Sequence, residues 1–124
     1  MKIYKAAIIG LGASGLAVNK IIYGESSDKV IAFENKDINN RDNFFGFWLT
    51  EWMKPFERVI EKKWNKWSIE TSHSKVNHLS KAKPYCVISF KRWKKYCLET
   101  KNKLDIVNKQ VIEYLPINNY FKII

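Results

Sequence analysis

Three glycines and one carboxylate have the residue types and the spacing to bind a dinucleotide. The stretch IIGLGASG at residues 8–15 places Gly10, Gly12 and Gly15 in the pattern G-x-G-x-x-G, and Glu34 follows Gly15 by 19 residues. The pattern alone is a weak signal. It becomes informative when a strand precedes it, a helix follows it and an acid ends the next strand. The first question is therefore which elements hold these four residues.

Each of these residues has a physical task in such a site. Gly10 allows a tight turn, Gly12 lets the backbone approach a pyrophosphate, and Gly15 lets a helix pack close to a strand. The N–H groups at the start of that helix face the phosphates. Glu34 would accept hydrogen bonds from the ribose hydroxyls of adenosine. Its charge disfavours a 2′-phosphate, so NADP is not expected at this site.

The flanking sequence predicts the elements that the site needs. Residues 3–9 are a short, mostly apolar run typical of a buried strand, and the apolar spacing over residues 14–23 predicts a helix packed on a sheet. Gly24 is expected to end that helix in the left-handed conformation. Residues 30–33 then predict a second apolar strand, directly before the acid. At position 19 of this helix a small residue would pack most easily against the sheet, but the sequence has Asn19.

Further elements are predicted in the rest of the chain. Residues 44–52, FFGFWLTEW, are too aromatic for a plain loop. Ser89 is the expected N-cap of a helix that carries Phe90, Trp93 and Cys97 on one face. Strands are expected over residues 67–70, 85–89, 104–107, 111–115 and 120–124, with a turn over residues 116–119.

Composition limits the class of protein. A chain of 124 residues has room for one domain, and its 46% hydrophobic and 15% aromatic content indicates a packed core rather than disorder. We therefore expect a single domain over residues 1–124. The sequence has no apolar run long enough for a membrane helix and no secretory leader pattern. A cytoplasmic protein is the expectation.

The cysteines and histidines do not have the spacing of a metal site. Cys86 and Cys97 are separated by ten residues, and His73 and His78 complete no zinc pattern with them. We therefore expect no metal, and two reduced, partly buried thiols.

The positive charge is concentrated in one part of the sequence. Residues 54–109 contain fifteen Lys and Arg against five Asp and Glu, which accounts for the whole formal charge of +10. Such an excess favours phosphate-rich partners or an anionic membrane surface, although a solvated lysine-rich face is the commonest explanation. A non-enzymatic basic module is therefore one alternative, but no nucleic-acid motif is present, so nucleic acid is not the expected partner. Its contact residues would be Lys62, Lys63, Lys66, Lys91, Arg92, Lys94 and Lys95, with Trp64, Trp67 and Trp93 between them.

Taken together, several stretches resemble the N-terminal part of the lycopene cyclase family, which belongs to the FAD-binding proteins built like the aromatic hydroxylases. The resemblance implies an α/β fold, a Rossmann-like βαβ FAD/NAD(P)-binding fold with additional antiparallel strands, incomplete relative to the family. The stretches that carry it are IIGLGASGLA at 8–17, VIAFE at 30–34, DNFFGFW at 42–48, PYCVISFKRWKKYCLE at 84–99 and VIEY at 111–114.

The resemblance also implies a cofactor and a reaction. FAD is the implied cofactor, with NAD(P)H as a reductant, and lycopene is the implied substrate, whose ends close into β-rings. Because carotenoids dissolve in bilayers, peripheral contact with the inner face of a membrane is a further expectation. By position in the family's motif, the residues that hold the ADP half of FAD are Gly10, Gly12, Ala13, Ser14, Gly15 and Glu34.

The resemblance spans nearly all of this chain but only the opening part of a cyclase. The family's Asp-Ser-Arg motif, its later Gly-Asp motif and its catalytic acid have no counterpart here, so no catalytic residue is assigned. We therefore expect a truncated relative that is not active alone. Another FAD-dependent enzyme, such as a hydroxylase or a halogenase, is the second alternative, because those proteins share the glycine pattern and fold does not fix the reaction.

Overall fold

The computed structural model describes residues 2–124, and the chain forms two compact units. One unit contains the residues up to Arg41 together with Lys94–Ile124, and the other is Asp42–Trp93. Over residues 2–124 the fold is mixed α/β, as predicted, with one parallel sheet and three antiparallel sheets. The strands are β1 (Ala6–Ile9), β2 (Lys29–Phe33), β3 (Phe44–Trp48), β4 (Lys62–Trp64), β5 (Lys66–Glu70), β6 (Lys75–Leu79), β7 (Tyr85–Ser89), β8 (Lys103–Val107), β9 (Tyr114–Ile117) and β10 (Tyr120–Ile123). The α-helices are α1 (Ala13–Val18) and α2 (Phe90–Leu98).

The first unit is built on the parallel sheet, whose strand order is β1-β2-β8. Ile8, Val30 and Ala32 are buried and alternate with more exposed residues, so they point to one side of the sheet. Helix α1 lies on that side, since a Cβ atom at Gly15 would lie 3.3 Å from a methyl group of Ile8, and Leu16 of the helix is buried. Strands at residues 30–33 and 104–107 were predicted from sequence and are confirmed within one residue.

The predicted helix over residues 14–23 is present but changes type. It is α-helical over Ala13–Val18 and becomes a π-helical segment over Asn19–Tyr23. The predicted left-handed Gly24 is wrong, because its φ is −60°. Glycine fits there for a different reason: a Cβ atom would lie 2.3 Å from the Lys20 carbonyl oxygen, so the π-helical turn excludes a side chain.

Asn19 connects this helical segment to the end of α2. Its side chain is fully buried, and its amide donates a hydrogen bond of 3.3 Å to the Cys97 carbonyl. Asn102 in turn donates to the Asn19 side-chain oxygen at 2.8 Å. The departure from a small residue is therefore accommodated by hydrogen bonds, which a buried amide needs.

The second unit contains two antiparallel sheets. One has the order β3-β7-β4 and the other is the hairpin β5-β6. The aromatic stretch at residues 44–52 was not expected to be a plain loop. Its first five residues form β3, and a 3-10 helix follows over Glu51–Val59. Tyr85 on β7 pairs with Trp48, and its side chain extends over Gly46, where a Cβ atom would be 2.0 Å from the tyrosine hydroxyl. The two positions therefore share one space between the strands.

Helix α2 begins where the sequence predicted. The Ser89 hydroxyl accepts a hydrogen bond of 3.3 Å from the Arg92 N–H, as an N-cap does, and it also donates 2.6 Å to the Glu61 carboxylate. Phe90, Trp93 and Cys97 are buried, which confirms the predicted apolar face.

The hairpin β9-β10 differs from its prediction. The expected strand over residues 111–115 begins only at Tyr114, and Pro116 lies in β9 rather than in the turn. Asn118 and Asn119 form the connection, and Asn118 has φ 53°, a conformation that asparagine adopts more readily than most residues. Proline is tolerated in β9 because a two-stranded sheet leaves half of its N–H positions without a partner strand.

Candidate functional site

The glycine turn lies between β1 and α1 in the first unit. Gly10 has φ +93°, which favours glycine, and its N–H donates a hydrogen bond of 2.7 Å to the Phe33 carbonyl at the end of β2. Gly15 sits against this turn, since a Cβ atom would lie 1.9 Å from the Gly10 carbonyl oxygen and 3.3 Å from an Ile8 methyl group. The turn and the first turn of helix are thus in backbone contact.

Gly12 differs from the other two glycines because it needs no special conformation. Its φ of −74° and ψ of −165° suit most residues, and a Cβ atom there would meet no atom within 4 Å. Gly12 precedes Ala13 and Ser14, which begin α1, and Ser14 is exposed. The absence of a side chain at Gly12 therefore keeps space open beside the turn without being required by the fold.

Glu34 stands directly after β2 and reaches the glycine turn. Its residue surface is only 5% exposed. One carboxylate oxygen accepts a hydrogen bond of 2.8 Å from the Leu11 N–H, inside the turn. The other oxygen accepts 3.1 Å from the Lys36 N–H and forms an ion pair of 3.1 Å with Arg41. The sequence predicted an acid at the end of the second strand, and the structure shows that this acid accepts one hydrogen bond from the glycine turn.

The surroundings of Glu34 keep it charged. Burial acts to raise the pKa of this carboxyl, but the backbone N–H donors, led by Leu11 and Lys36, and the Arg41 guanidinium act in the opposite direction. The net result is that the pKa of Glu34 lies below its ordinary value of 4.5. Near neutral pH the group is therefore an anionic hydrogen-bond acceptor.

A cavity of about 570 Å³ opens beside Glu34, within the first unit. It lies where β2 and β8 end, so it occupies the carboxyl edge of the parallel sheet, the edge at which ligands bind in open α/β sheets. Its volume is in the range of small-molecule sites. Besides Glu34, the lining residues are Lys36, Asp37, Ile38, Asn39, Lys94, Leu98, Ile106 and Asn108.

Two residues of this site were not singled out from sequence. Arg41 lies seven residues after Glu34 with no recognisable spacing, and it becomes relevant only because the intervening loop returns to the carboxylate. Lys94 was assigned to the basic face of α2, but its ammonium donates 3.0 Å to the Asn39 side-chain oxygen. Neither residue could be assigned to the site without knowing the conformation of the loop that follows Glu34.

The three tryptophans of the basic module differ in burial and in ring contacts. Trp93 is buried and contacts Phe56 edge to face, while Trp67 contacts Trp48 in the same manner. Among the three module tryptophans, Trp64 is the one with an exposed side chain, at 38%. Trp64 and Trp67 both belong to an aromatic cluster with Trp48 and Tyr85, whereas Trp93 is buried, and the basic module stays a prediction.

The described residues 2–124 contain no cluster of three or more His, Cys, Asp or Glu side chains that could hold a metal ion. In that same part of the chain, no helix combines the length and the apolar character needed to cross a bilayer.

Both cysteines are free and buried, which leads to a prediction about their reactivity. Burial raises the pKa of the Cys97 thiol to about 12 and also raises that of Cys86. Because the thiolate is the reactive form, we expect both thiols to react with a disulfide reagent at least about a hundredfold more slowly in the native chain than in denaturant. A time course of thiol release at neutral pH measures this. Rapid reaction of one equivalent in the native chain would contradict it.

Comparison of the chain with protein-family models and with curated proteins gave no match.

Proposed function

We propose that the first unit binds the ADP half of a dinucleotide cofactor, FAD, as the N-terminal part of a lycopene-cyclase-like flavoprotein. One observation carries the proposal: the Glu34 carboxylate, at the end of β2, accepts a hydrogen bond of 2.8 Å from the Leu11 N–H inside the glycine turn. A ribose acceptor and a phosphate turn are thus adjacent, as an ADP group requires. The residues of the proposed site are Gly10, Gly12, Ala13, Ser14, Gly15 and Glu34.

The order of the parallel strands supports this proposal. Strand β2 lies between β1 and β8, and all three run in the same direction. In chain order this is the arrangement 3-2-1 of the first half of a Rossmann-like fold. A helical segment connects β1 to β2, as in that fold.

The acceptor capacity of Glu34 fits a ribose better than a phosphate. A carboxylate has about four acceptor positions, and those of Glu34 face Leu11, Lys36 and Arg41 together with the Asn35 N–H. A ribose hydroxyl would therefore bind in exchange for one of these partners, such as the Leu11 N–H. A 2′-phosphate would instead meet a charged carboxylate, which supports FAD over an NADP-type ligand at this site.

The cavity beside Glu34 has the kind of lining that an adenine ring would need. It has apolar side chains to pack on a ring, such as Leu98 and Ile106, and amide groups that can donate and accept, such as Asn39 and Asn108. With the ribose at Glu34, the base would enter this cavity and the phosphates would reach Gly12. These three parts follow one another along an ADP group.

The reaction is proposed from the resemblance alone. In the lycopene cyclase family the flavin serves the cyclisation of lycopene ends to β-rings, and a hydroxylase or halogenase would use the same glycine turn. The donor that protonates a polyene has no counterpart among the residues of this chain. The proposal for the chain itself is therefore cofactor binding.

The test uses Gly12→Ala, because the structure separates binding from folding at this position. A methyl group at Gly12 meets open space in the protein but would occupy the approach of a pyrophosphate. We expect the variant to unfold at nearly the wild-type temperature while its affinity for ADP falls at least about tenfold, which corresponds to roughly 1.4 kcal/mol. Isothermal titration with ADP, and competition between ADP and FAD, measure the affinity.

Ser27→Ala is the matched control. It changes an exposed residue in the loop before β2, at the amino edge of the sheet, so ADP binding should be unchanged. Absence of ADP and FAD binding to the wild-type chain would overturn the proposal, as would equal affinities of wild type and Gly12→Ala.

A further inference from the structure

The hairpin β9-β10 exposes an unusual amount of apolar surface. Phe121 is 69% exposed and Tyr120 is 62% exposed, although both lie in a strand. These apolar side chains lie on both faces of the hairpin, which makes it a candidate interaction site, and a two-stranded sheet is only marginally stable by itself. The other exposed apolar side chains of the segment are Ile112, Tyr114, Leu115, Ile117 and Ile124.

The hydrogen bonds between the two strands show which residues of the hairpin have backbone groups that point outward. The Ile124 N–H donates 2.9 Å to the Glu113 carbonyl, and the Glu113 N–H donates 3.3 Å to the Ile124 carbonyl. Bonded and non-bonded pairs alternate along an antiparallel ladder. The pair Pro116 and Phe121, three steps along the register, is therefore non-bonded, and the backbone groups of both residues point away from the hairpin.

This alternation makes the two outer edges unequal. On the β9 edge, the outward position at 116 is a proline, which has no N–H to donate and blocks pairing with another strand. On the β10 edge, Phe121 and Ile123 point N–H and carbonyl groups outward. No other strand of residues 2–124 pairs with β10 on that side. Tyr114 also points its N–H and carbonyl outward on the β9 edge, but Pro116 interrupts the row of donors there, so strand addition is favoured at β10.

The charge distribution favours a second copy as the strand that pairs there. Two copies with a formal charge of +10 each repel one another over most of their surfaces. The last fifteen residues carry one acid, Glu113, and one base, Lys122, and are neutral overall. Contact through this segment therefore brings the copies together where the repulsion is weakest.

We propose that β10 pairs with β10 of a second copy in antiparallel orientation, about a twofold axis at Phe121, to form a four-stranded sheet. Phe121 of each copy then exchanges both backbone hydrogen bonds with its counterpart, because its groups point outward. The two Phe121 side chains lie on the face that also carries Tyr114, whose ring contacts Phe121 at 6.1 Å between centroids. On the opposite face, Tyr120 of one copy stands beside Lys122 of the other, which a cation–π contact accommodates.

Sedimentation velocity of the wild-type chain, from low micromolar to near-millimolar concentration, tests the association. We expect a monomer–dimer equilibrium that shifts toward the dimer with concentration. Phe121→Lys places two like charges opposite each other at the axis, and should return the protein to a monomer at every concentration used. Ile69→Lys is the matched control, since it adds the same charge at an exposed apolar residue of the other hairpin, and should leave the dimer intact.

A cross-linking experiment locates the contact. Bonded antiparallel pairs have Cα atoms about 5.5 Å apart, but their Cβ atoms lie beyond the roughly 3.5–4.5 Å of a disulfide, so a short thiol cross-linker should join Phe121→Cys into a covalent dimer. Leu115→Cys should give no covalent dimer, because its two copies would be about 16 Å apart, three strand spacings across the sheet and two residues along it. Cys86 and Cys97 are buried and do not compete. A monomeric wild type, an unaffected Phe121→Lys dimer, or equal cross-linking through residue 115 would each overturn the proposal.

Discussion

Gly15→Ala is expected to destabilise the chain by about 3 kcal/mol or more, the upper range of overpacking in a closely packed region. The added methyl carbon would lie 1.9 Å from the Gly10 carbonyl oxygen, a backbone atom that cannot rotate away as the end of a side chain can. Relief would require α1 to move away from β1 and would expose Leu16, which is now fully buried. Denaturant titration followed by far-ultraviolet circular dichroism measures the loss.

Gly12→Ala provides the comparison for this experiment. It adds the same methyl group three residues earlier, where no atom lies within 4 Å, so its effect on the free energy of unfolding should stay below about 1 kcal/mol. Equal destabilisation by the two variants would show that the methyl group acts through helix propensity or the unfolded chain. The close approach of backbone atoms would then not explain Gly15.

Glu34→Gln is expected to cost about 3 kcal/mol, a typical loss when one partner of a buried ion pair is removed. The amide keeps the shape of the side chain, but its NH₂ group would face donors: the Leu11 N–H on one side, or the Lys36 N–H and the Arg41 guanidinium on the other. Thermal and denaturant unfolding measure this loss. Glu25→Gln is the control, because its ion pair with Lys101 is exposed to solvent, so its loss should change the free energy of unfolding far less.

The same substitution should change the pH dependence of stability. Because the pKa of Glu34 is lower in the folded chain, the unfolded chain binds the proton more tightly, and folding is stabilised above the unfolded value near 4.5. That stabilisation disappears as the pH falls through the folded pKa. Wild type should therefore lose more stability than Glu34→Gln between pH 5 and the acid limit of folding, in unfolding curves recorded across that range. Parallel pH profiles would contradict the assigned role of Glu34.

The first third of the chain could be predicted because its structure is determined locally. The apolar runs before and after the glycine turn have strand composition, and Gly10 adopts the positive φ that a tight turn after a strand requires. Glu34 could be placed because the end of an apolar run marks the end of a strand. The contact between its carboxylate and Leu11 was not predictable, since it depends on the separation of two strands in space.

The rest was less predictable for two physical reasons. Residues such as Phe44 and Trp48 suit a strand, a buried helix or a pocket equally well, and β7, which pairs with β3, is more than thirty residues away. Proline usually indicates a turn, yet Pro116 lies in a strand because the outer edge of a two-stranded sheet needs no donor there. Both outcomes depend on partners in space that local sequence does not specify.

The shared space of Gly46 and Tyr85 has a consequence for how the sequence can change over time. A side chain at position 46 would collide with the tyrosine hydroxyl at 2.0 Å, whereas a smaller residue at position 85 collides with nothing and leaves a gap. The cost of a larger residue at position 46 therefore depends on position 85, because either the Tyr85 ring moves aside or a smaller residue replaces it. The effects of substitutions at these two positions should not add, since each changes the space left for the other.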